Sequence, residues 1–502
     1  VQRSRGLHLN KNATTANRSG VKQTSLRDRI GRWQRFGALG LAFCAVVTAA
    51  SEARAQGRPP DTYLKQQRAL EEEVRAELDR ELPAEQKVDF QWGGSYNSWA
   101  FLWDDGIDSS RTLWRNDFRL WGGLSFDQGA HQLYARTRMS FLDFPAGDSY
   151  DGNDHDIEGP NLERGFYQFD LRRALRAYRK ENIKNNFKLK IGRDVVQFGT
   201  GLALSLPMDH LLLTAEIEDF EITGLMGTSI RSTDDIERSR PNSNSMERNF
   251  WGVQAKYLGF EKHEPFAYVF WNVDQHDEDP EVWLQEYDYD SFYVGLGSRG
   301  ELIRNLRYGT EWVFETGESF GDRKFLKRDD VHAWAFDFLL EYLTDWRMRP
   351  RFVGEYMFAS GDPDRFLSPT NAVGGNTFGD DNSFVGFGYR DTGLSFAPRL
   401  SNIHIWRAGA SFLPFEDIDF LSKMELGTDW YLYHKNRRNG AVSDATADVR
   451  SGYLGWEMDY YTNWRLTSDL SFTARYGVFF PGASFSDRTT RTFFLTGLTW
   501  SF

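Results

Sequence analysis

The chain is predicted to be all-β: a transmembrane antiparallel β-barrel of about 18 strands, with a short helical N-terminal extension. Three observations predict it. Aromatic residues make up 16% of the 502 residues, as 40 Phe, 21 Tyr and 17 Trp beside 45 Gly and only 15 Pro, a balance that favours strands over helices or disorder. From Val88 to the end the hydrophobic pattern has period two, and many runs extend to about 10–14 residues, the length a tilted membrane strand needs. The connections between runs alternate between short turns and long polar segments. A hydrophobic fraction of 40% with 26% charged residues, and no apolar run of spanning length, exclude a bundle of transmembrane helices. A single Cys excludes a disulfide framework and any CxxC motif.

Residues 1–55 read as a signal peptide. Arg27, Arg29, Arg32 and Arg35 precede an apolar or small stretch at 36–50, and Ala53-Arg54-Ala55 supplies a small-residue cleavage site. About 15 apolar residues is short for a bilayer span. Cys44 lies within that stretch, where bulky Phe43 argues against lipidation. Cleavage after Ala55 leaves a cysteine-free chain with 50 basic and 70 acidic groups, a net charge of −20 that disfavours a nucleic-acid partner. Residues 56–87 form the periplasmic helical extension, with Leu64, Leu70, Val74, Leu78 and Leu82 on a rough stripe; they are a spacer or a docking helix for a periplasmic secretion-complex protein.

The barrel domain is residues 88–502. Its runs fall near 88–103, 111–126, 131–144, 163–177, 186–198, 203–214, 217–230, 249–260, 265–275, 287–299, 305–317, 331–342, 347–360, 401–413, 421–434, 450–464, 470–480 and 493–502. At 307–315 one parity gives Tyr308, Thr310, Trp312 and Phe314, while the other gives Arg307, Gly309, Glu311, Val313 and Glu315. The greasy face suits lipid and the charged face suits a water-filled lumen. Short turns at 127–130, 260–264, 343–345, 414–419 and 465–469 mark the periplasmic side; the long segments include 145–162, 231–248 and 361–400. Phe494, Thr496, Leu498, Trp500 and Phe502 share one face of the last run, and such an aromatic closing strand resembles the signal read by the barrel assembly machinery of bacterial outer membranes.

A barrel of 16–18 strands encloses an aqueous lumen, so function is sought on the polar parity. The candidate lumen residues are Arg115, Arg119, Arg136, Arg138, Lys190, Arg193, Arg307, Arg349, Arg351, Glu355, Arg407 and Arg475. Guanidinium groups bind carboxylates bidentately, and a ladder of weak sites lets an anionic polymer advance without being trapped. Arg136/Arg138 and Arg349/Arg351 stand out as same-face pairs. Acids share the lumen, among them Asp117, Glu311, Glu315, Asp337, Glu341, Asp429, Glu457 and Asp459, and they neutralise part of this charge.

Several short pieces, in this order, resemble the alginate export family of outer-membrane proteins over roughly residues 88–502: Lys190-Ile191-Gly192-Arg193 with Phe198-Gly199; Gly354-Glu355-Tyr356 running into Ala359-Ser360-Gly361-Asp362-Pro363-Asp364; Ser401-Asn402-Ile403 leading to Pro414; and Tyr476-Gly477-Val478-Phe479-Phe480-Pro481-Gly482. The resemblance implies an 18-stranded monomer whose arginine-rich lumen passes an anionic uronate polysaccharide outward and is occluded by loops. The glycine-rich segment 361–400 is the candidate plug. Asp194 stands where this family leads one to expect a neutral amide.

No His-Glu-x-x-His, Walker loop or Gly-x-Ser-x-Gly elbow occurs, so no enzyme chemistry and no cofactor are expected. The acidic run at 151–159 invites calcium, but its spacing misses the EF-hand loop. Trp92, Trp121, Trp271 and Trp464 are expected to anchor the barrel at the membrane interface. The expected partners are the lipid bilayer and an anionic saccharide or small anion. The competing readings are a general or uptake porin, an outer-membrane hydrolase, and a scaffold recruiting partners through the extension.

Overall fold

A computed structural model describes residues 88–502 apart from 107–109, 150–151, 234, 237–244, 277–286, 321–327, 366–375 and 377–378; the leader and the helical extension lie outside the described residues. Alternation of apolar and polar side chains generates eighteen strands, β1 (Val88–Asp104), β2 (Arg111–Phe126), β3 (His131–Asp143), β4 (His155–Asp170), β5 (Asn186–Gln197), β6 (Ser205–Ile217), β7 (Phe220–Ser229), β8 (Arg248–Tyr257), β9 (His263–Asp274), β10 (Asp290–Ile303), β11 (Leu306–Phe320), β12 (Arg328–Leu343), β13 (Arg351–Ala359), β14 (Ile403–Phe412), β15 (Met424–Lys435), β16 (Tyr453–Arg465), β17 (Leu470–Pro481) and β18 (Arg491–Ser501). Each pairs antiparallel with its sequence neighbours. β1 also pairs with β18, from Ser95 opposite Ser501 to Asp104 opposite Thr492, so the sheet closes into a barrel in which every strand has a partner on both sides. Closure satisfies the backbone hydrogen bonds that lipid cannot. Among the described residues no helix is long and apolar enough to cross a membrane.

The two parities separate as the sequence predicts. On β11, Trp312 is 41% exposed and Phe314 48%, whereas Glu311 is fully covered and Glu315 nearly so. A soluble sandwich has the reverse arrangement, with its aromatic face inside and its charged face outside. Outward rings pair across strands, as Trp312 does with Trp334 at 5.8 Å and Trp456 with Phe480 at 4.6 Å. Trp92, Trp271 and Trp464 stand on this outer face, and the Trp464 indole N–H donates to the Phe420 carbonyl at 3.0 Å.

All eighteen runs are present. The fourth differs most: β4 begins at His155 and ends at Asp170, and the residues expected to continue it form α1 (Leu171–Arg179). The physical reason is a change of period. Leu171, Ala174, Leu175 and Tyr178 recur at helical spacing, the Asp170 carboxylate caps the first turn by accepting from the Arg173 N–H at 3.0 Å, and Lys180 ends the helix in the left-handed conformation. α1 lies at the short-turn rim. Its Arg172 pairs with Glu216 of β6 at 2.9 Å, and Arg173, Arg176, Arg179 and Lys180 are exposed.

Candidate functional site

Strands β11 to β16 place Glu311, Glu315, Asp337, Glu355, Asp429, Glu457 and Asp459 on the inner face of the barrel. Of the segment joining β13 to β14, the described residues 379–402 fold inward across this acidic wall. Its backbone makes much of the contact. The Glu457 carboxylate accepts three consecutive N–H groups, from Leu394 and Ser395 at 2.6 Å and from Phe396 at 2.8 Å, which form the kind of anion-binding nest that oriented amides create. Glu315 accepts from the Val385 N–H at 2.9 Å, and the Tyr433 hydroxyl donates to the Thr392 carbonyl at 2.8 Å. Arg390 pairs with Asp337 at 2.9 Å and with Glu311 at 3.7 Å. Arg407 joins wall and segment by meeting Asp429 at 2.8 Å, Glu355 at 3.1 Å and Asp391 at 3.3 Å. Apolar contacts add to this. Phe396 stacks on Phe479 at 4.4 Å, Phe387 meets Phe250 edge-on at 5.0 Å, and Leu394 packs with Trp99, Phe493 and Leu495.

Both ends of this plug are fixed at one hinge. Ser360 O accepts from the Asn402 N–H at 3.0 Å, and Asn402 binds the Arg437 and Ala441 carbonyls at 3.1 and 2.8 Å. The Asp362 carboxylate accepts from Asp364 and Asn382; although burial pushes it up, these hydrogen bonds hold it below the usual carboxylate range. Burial raises Asp381 above that range, against the pull of Arg365. The turn between β5 and β6 also enters the barrel. Thr200 N–H donates to Glu311 at 2.7 Å, Tyr389 N–H donates to the Gly201 carbonyl at 3.1 Å, and Phe387 N–H donates to the Ala203 carbonyl at 2.8 Å. Gly388 permits this approach, because a Cβ there would collide with the Leu202 carbonyl oxygen.

Strands β2 to β5 form a wall of opposite character. Arg115 pairs with Asp117 at 2.9 Å; Arg119 bridges Asp117 and Glu163, each at 3.2 Å; Arg136 and Arg138 meet Glu163 at 2.9 and 3.3 Å. Arg164 and Lys190 share Asp194, at 3.2 and 2.6 Å. Arg138 also reaches Glu158 at 4.0 Å. Six cations thus face four carboxylates. The cationic side chains are 17–28% exposed, whereas Glu311 and Glu457 beneath the plug are 0% exposed. The basic wall is thus partly open to the interior, whereas Glu311 and Glu457 opposite are covered by the plug.

The model of the alginate export family matches residues 232–494, just over half of the chain. The chain belongs to the alginate export family. Solved structures similar to this family member are outer-membrane barrels of Pseudomonas aeruginosa. OccK8 (OprE) is 12% identical with a TM-score of 0.52, and OpdK with vanillate is 11% identical with a TM-score of 0.51; each match covers 82% of this chain and 98% of the other. At such identities the likeness shows the fold. No curated protein matches the chain. The family and the fold are those of outer-membrane transport channels, which puts this alginate export family barrel in a bacterial outer membrane, with its short turns in the periplasm.

Of the candidate lumen residues, Arg115, Arg119, Arg136, Arg138 and Lys190 come together on the basic wall. Glu355 and Arg407 are paired under the plug. Arg351 binds Glu341 on the inner face near the periplasmic rim, where Arg307 also reaches Glu341, at 3.9 Å. Arg475 is buried on the inner face, its guanidinium 5.4 Å from the Tyr461 ring centre. Two candidates are corrected. Arg193 shares parity with outward Ile191, and it pairs with Asp209 at 2.7 Å on the outer face. Arg349 is not in a strand: Met348 and Arg349 both adopt positive φ in the exposed turn before Pro350, and β13 starts only at Arg351, which breaks the proposed Arg349/Arg351 pair. Trp121 is corrected too. It lies on the parity of Arg115 and Arg119, with its ring over Gly93 inside the barrel. The acidic run loses residue 151 to the undescribed set. A separate group that could hold a metal, Asp235, Asp274 and His276, surrounds Arg248, whose guanidinium meets the two carboxylates at 2.7 and 2.9 Å in the place a cation would take. The sequence reading missed the basic helix α1 at the periplasmic mouth; Asp170 followed by residues of helical period was the available signal.

Proposed function

We propose that this barrel is a diffusion channel for an anionic saccharide of the uronate class, passing along the basic wall of β2–β5 between the periplasm and the cell exterior. The observation that supports this reading most is the inequality of the two walls. The plug supplies N–H donors and Arg390 to the acidic wall, so the carboxylates there are spent on holding it, while Arg115, Arg119, Arg136, Arg138, Arg164 and Lys190 remain at the water-filled side. Carboxylates spaced along a sugar polymer exchange readily between guanidinium groups that are already half-neutralised, which favours movement over capture. Arg173, Arg176 and Arg179 of α1, at the periplasmic mouth, add an electrostatic lead-in to the same wall. The chemistry is binding and release, without turnover.

The test is current block in a planar bilayer. A pyranuronate tetramer added on the periplasmic side is expected to interrupt the current in discrete events, and a neutral tetramer of the same size is expected to do so at least about tenfold more weakly, as the loss of one charge-assisted contact implies. Equal block by the two would remove the anionic-saccharide reading and leave a general porin.

A further inference from the structure

Beside the arginines, the inner face of β2–β4 carries a row of aromatic rings that the charge argument does not use. The Trp121 and Tyr134 rings lie 6.1 Å apart at an interplanar angle of 23°, and Tyr134 and Phe166 lie 5.4 Å apart at 27°. Gly93 makes room for the Trp121 ring beside the wall. A Cβ on Gly93 would approach the Trp121 indole to 2.9 Å, too close for a carbon contact, whereas one on Gly123 would meet the Tyr134 ring at an ordinary 3.8 Å. The rings stand on the inward parity of their strands and are half-buried, so part of each remains accessible. Phe166 closes the row and carries the Lys190 ammonium 4.1 Å from its ring centre. Arg136 sits directly opposite Trp121 in the β2–β3 register, and Arg164 opposite Arg136 in β3–β4.

We propose that Trp121 and Tyr134 form a stacking track for pyranose rings, running alongside the arginine ladder so that a sugar's apolar face rests on the aromatics while its carboxylate meets Arg136 or Lys190. The proposal rests on the anionic-saccharide reading and names the subsite that recognises the ring rather than the charge. A flat C–H face over an aromatic plane gives a contact without strong direction, which suits a polymer that must slide. Elsewhere the aromatics either face outward, where lipid accounts for them, or are buried inside, as Phe250, Tyr433 and Phe479 are, whereas Trp121 and Tyr134 are inward and only half-buried.

The test separates ring from charge. Trp121→Ala combined with Tyr134→Ala is expected to shorten the residence time of a pyranuronate tetramer in single-channel recordings about tenfold, which is the scale of two modest ring contacts. Block by citrate, an open-chain polycarboxylate with no ring, and the reversal potential in a KCl gradient are expected to stay as in the wild type. Trp121→Phe with Tyr134→Phe is expected to keep the long residence, which shows that the effect follows the ring and not the fold. If the alanine pair leaves tetramer residence unchanged, or shortens citrate block to the same extent, the track is overturned although the channel remains anion-selective. If instead the wild type shows no anion preference at all, the underlying charge reading has failed, and that outcome is visible without either variant.

Discussion

Replacing residues 362–400 by a two-residue turn is expected to raise single-channel conductance about threefold or more, because an 18-stranded barrel without an inserted segment holds an open aqueous lumen. The deletion is geometrically mild. Ser360 and Asn402 are already hydrogen-bonded to each other, so the chain can cross directly from β13 to β14 without moving either strand. It has a second consequence of larger diagnostic value. Glu311, Glu315, Asp337, Glu457 and Asp459 lose the N–H groups and the arginine that cover them and become exposed to water. These five carboxylates then share one lumen with a basic wall whose six cations already face four carboxylates, nine against six, so selectivity is expected to fall toward parity or turn cationic as conductance rises. Unchanged conductance in a properly assembled variant would mean that the segment does not obstruct the passage.

The second large effect is expected at the basic wall. Changing Arg119, Arg136 and Arg138 together to Gln leaves Glu163 without its three partners, so the wall loses its positive excess and also gains an unscreened carboxylate. The ratio of chloride to potassium permeability, read from the reversal potential, is expected to drop about threefold to tenfold, corresponding to ~1 kcal/mol in the energy of a passing ion at close range in a watery pore. Adding Glu163→Gln should recover part of that loss. The comparison of the two variants shows whether the wall acts through net charge or through particular arginines. A ratio that does not move in either variant would place ion selection elsewhere.

The strand parity was readable because lipid and water impose it residue by residue: Arg115, Arg119, Arg136 and Arg138 face inward for the same reason that Trp312 and Phe314 face outward. Trp121 was readable by the same rule, since it continues the parity of Arg119. The expectation that a strand-end Trp anchors at the interface overrode that rule, and the structure restores it. Arg193 was a candidate through a motif, although its odd position next to outward Ile191 already pointed to the outer face. Arg349 failed for a different reason. Local alternation continued through 347–351, but two consecutive positive-φ residues make a turn there, and alternation does not register left-handed backbone. The plug's grip was the least legible feature. Its glycines marked the segment, but Glu457 and Glu315 hold backbone N–H groups, which carry no side-chain signature in the plug.

The chain beyond residue 55 contains no cysteine, so single-cysteine variants give a direct view of which wall meets water. Gln132→Cys and Arg136→Cys, on the inner face of β3, are expected to react within seconds with a charged, membrane-impermeant thiol reagent and to reduce the current. Val313→Cys and Ala335→Cys, fully buried on the inner faces of β11 and β12, are expected to resist the reagent in the intact barrel and to become reactive once residues 362–400 are removed. Rapid labelling of Val313→Cys and Ala335→Cys with the plug in place, or protection of Arg136→Cys, would contradict a passage that runs along the basic wall.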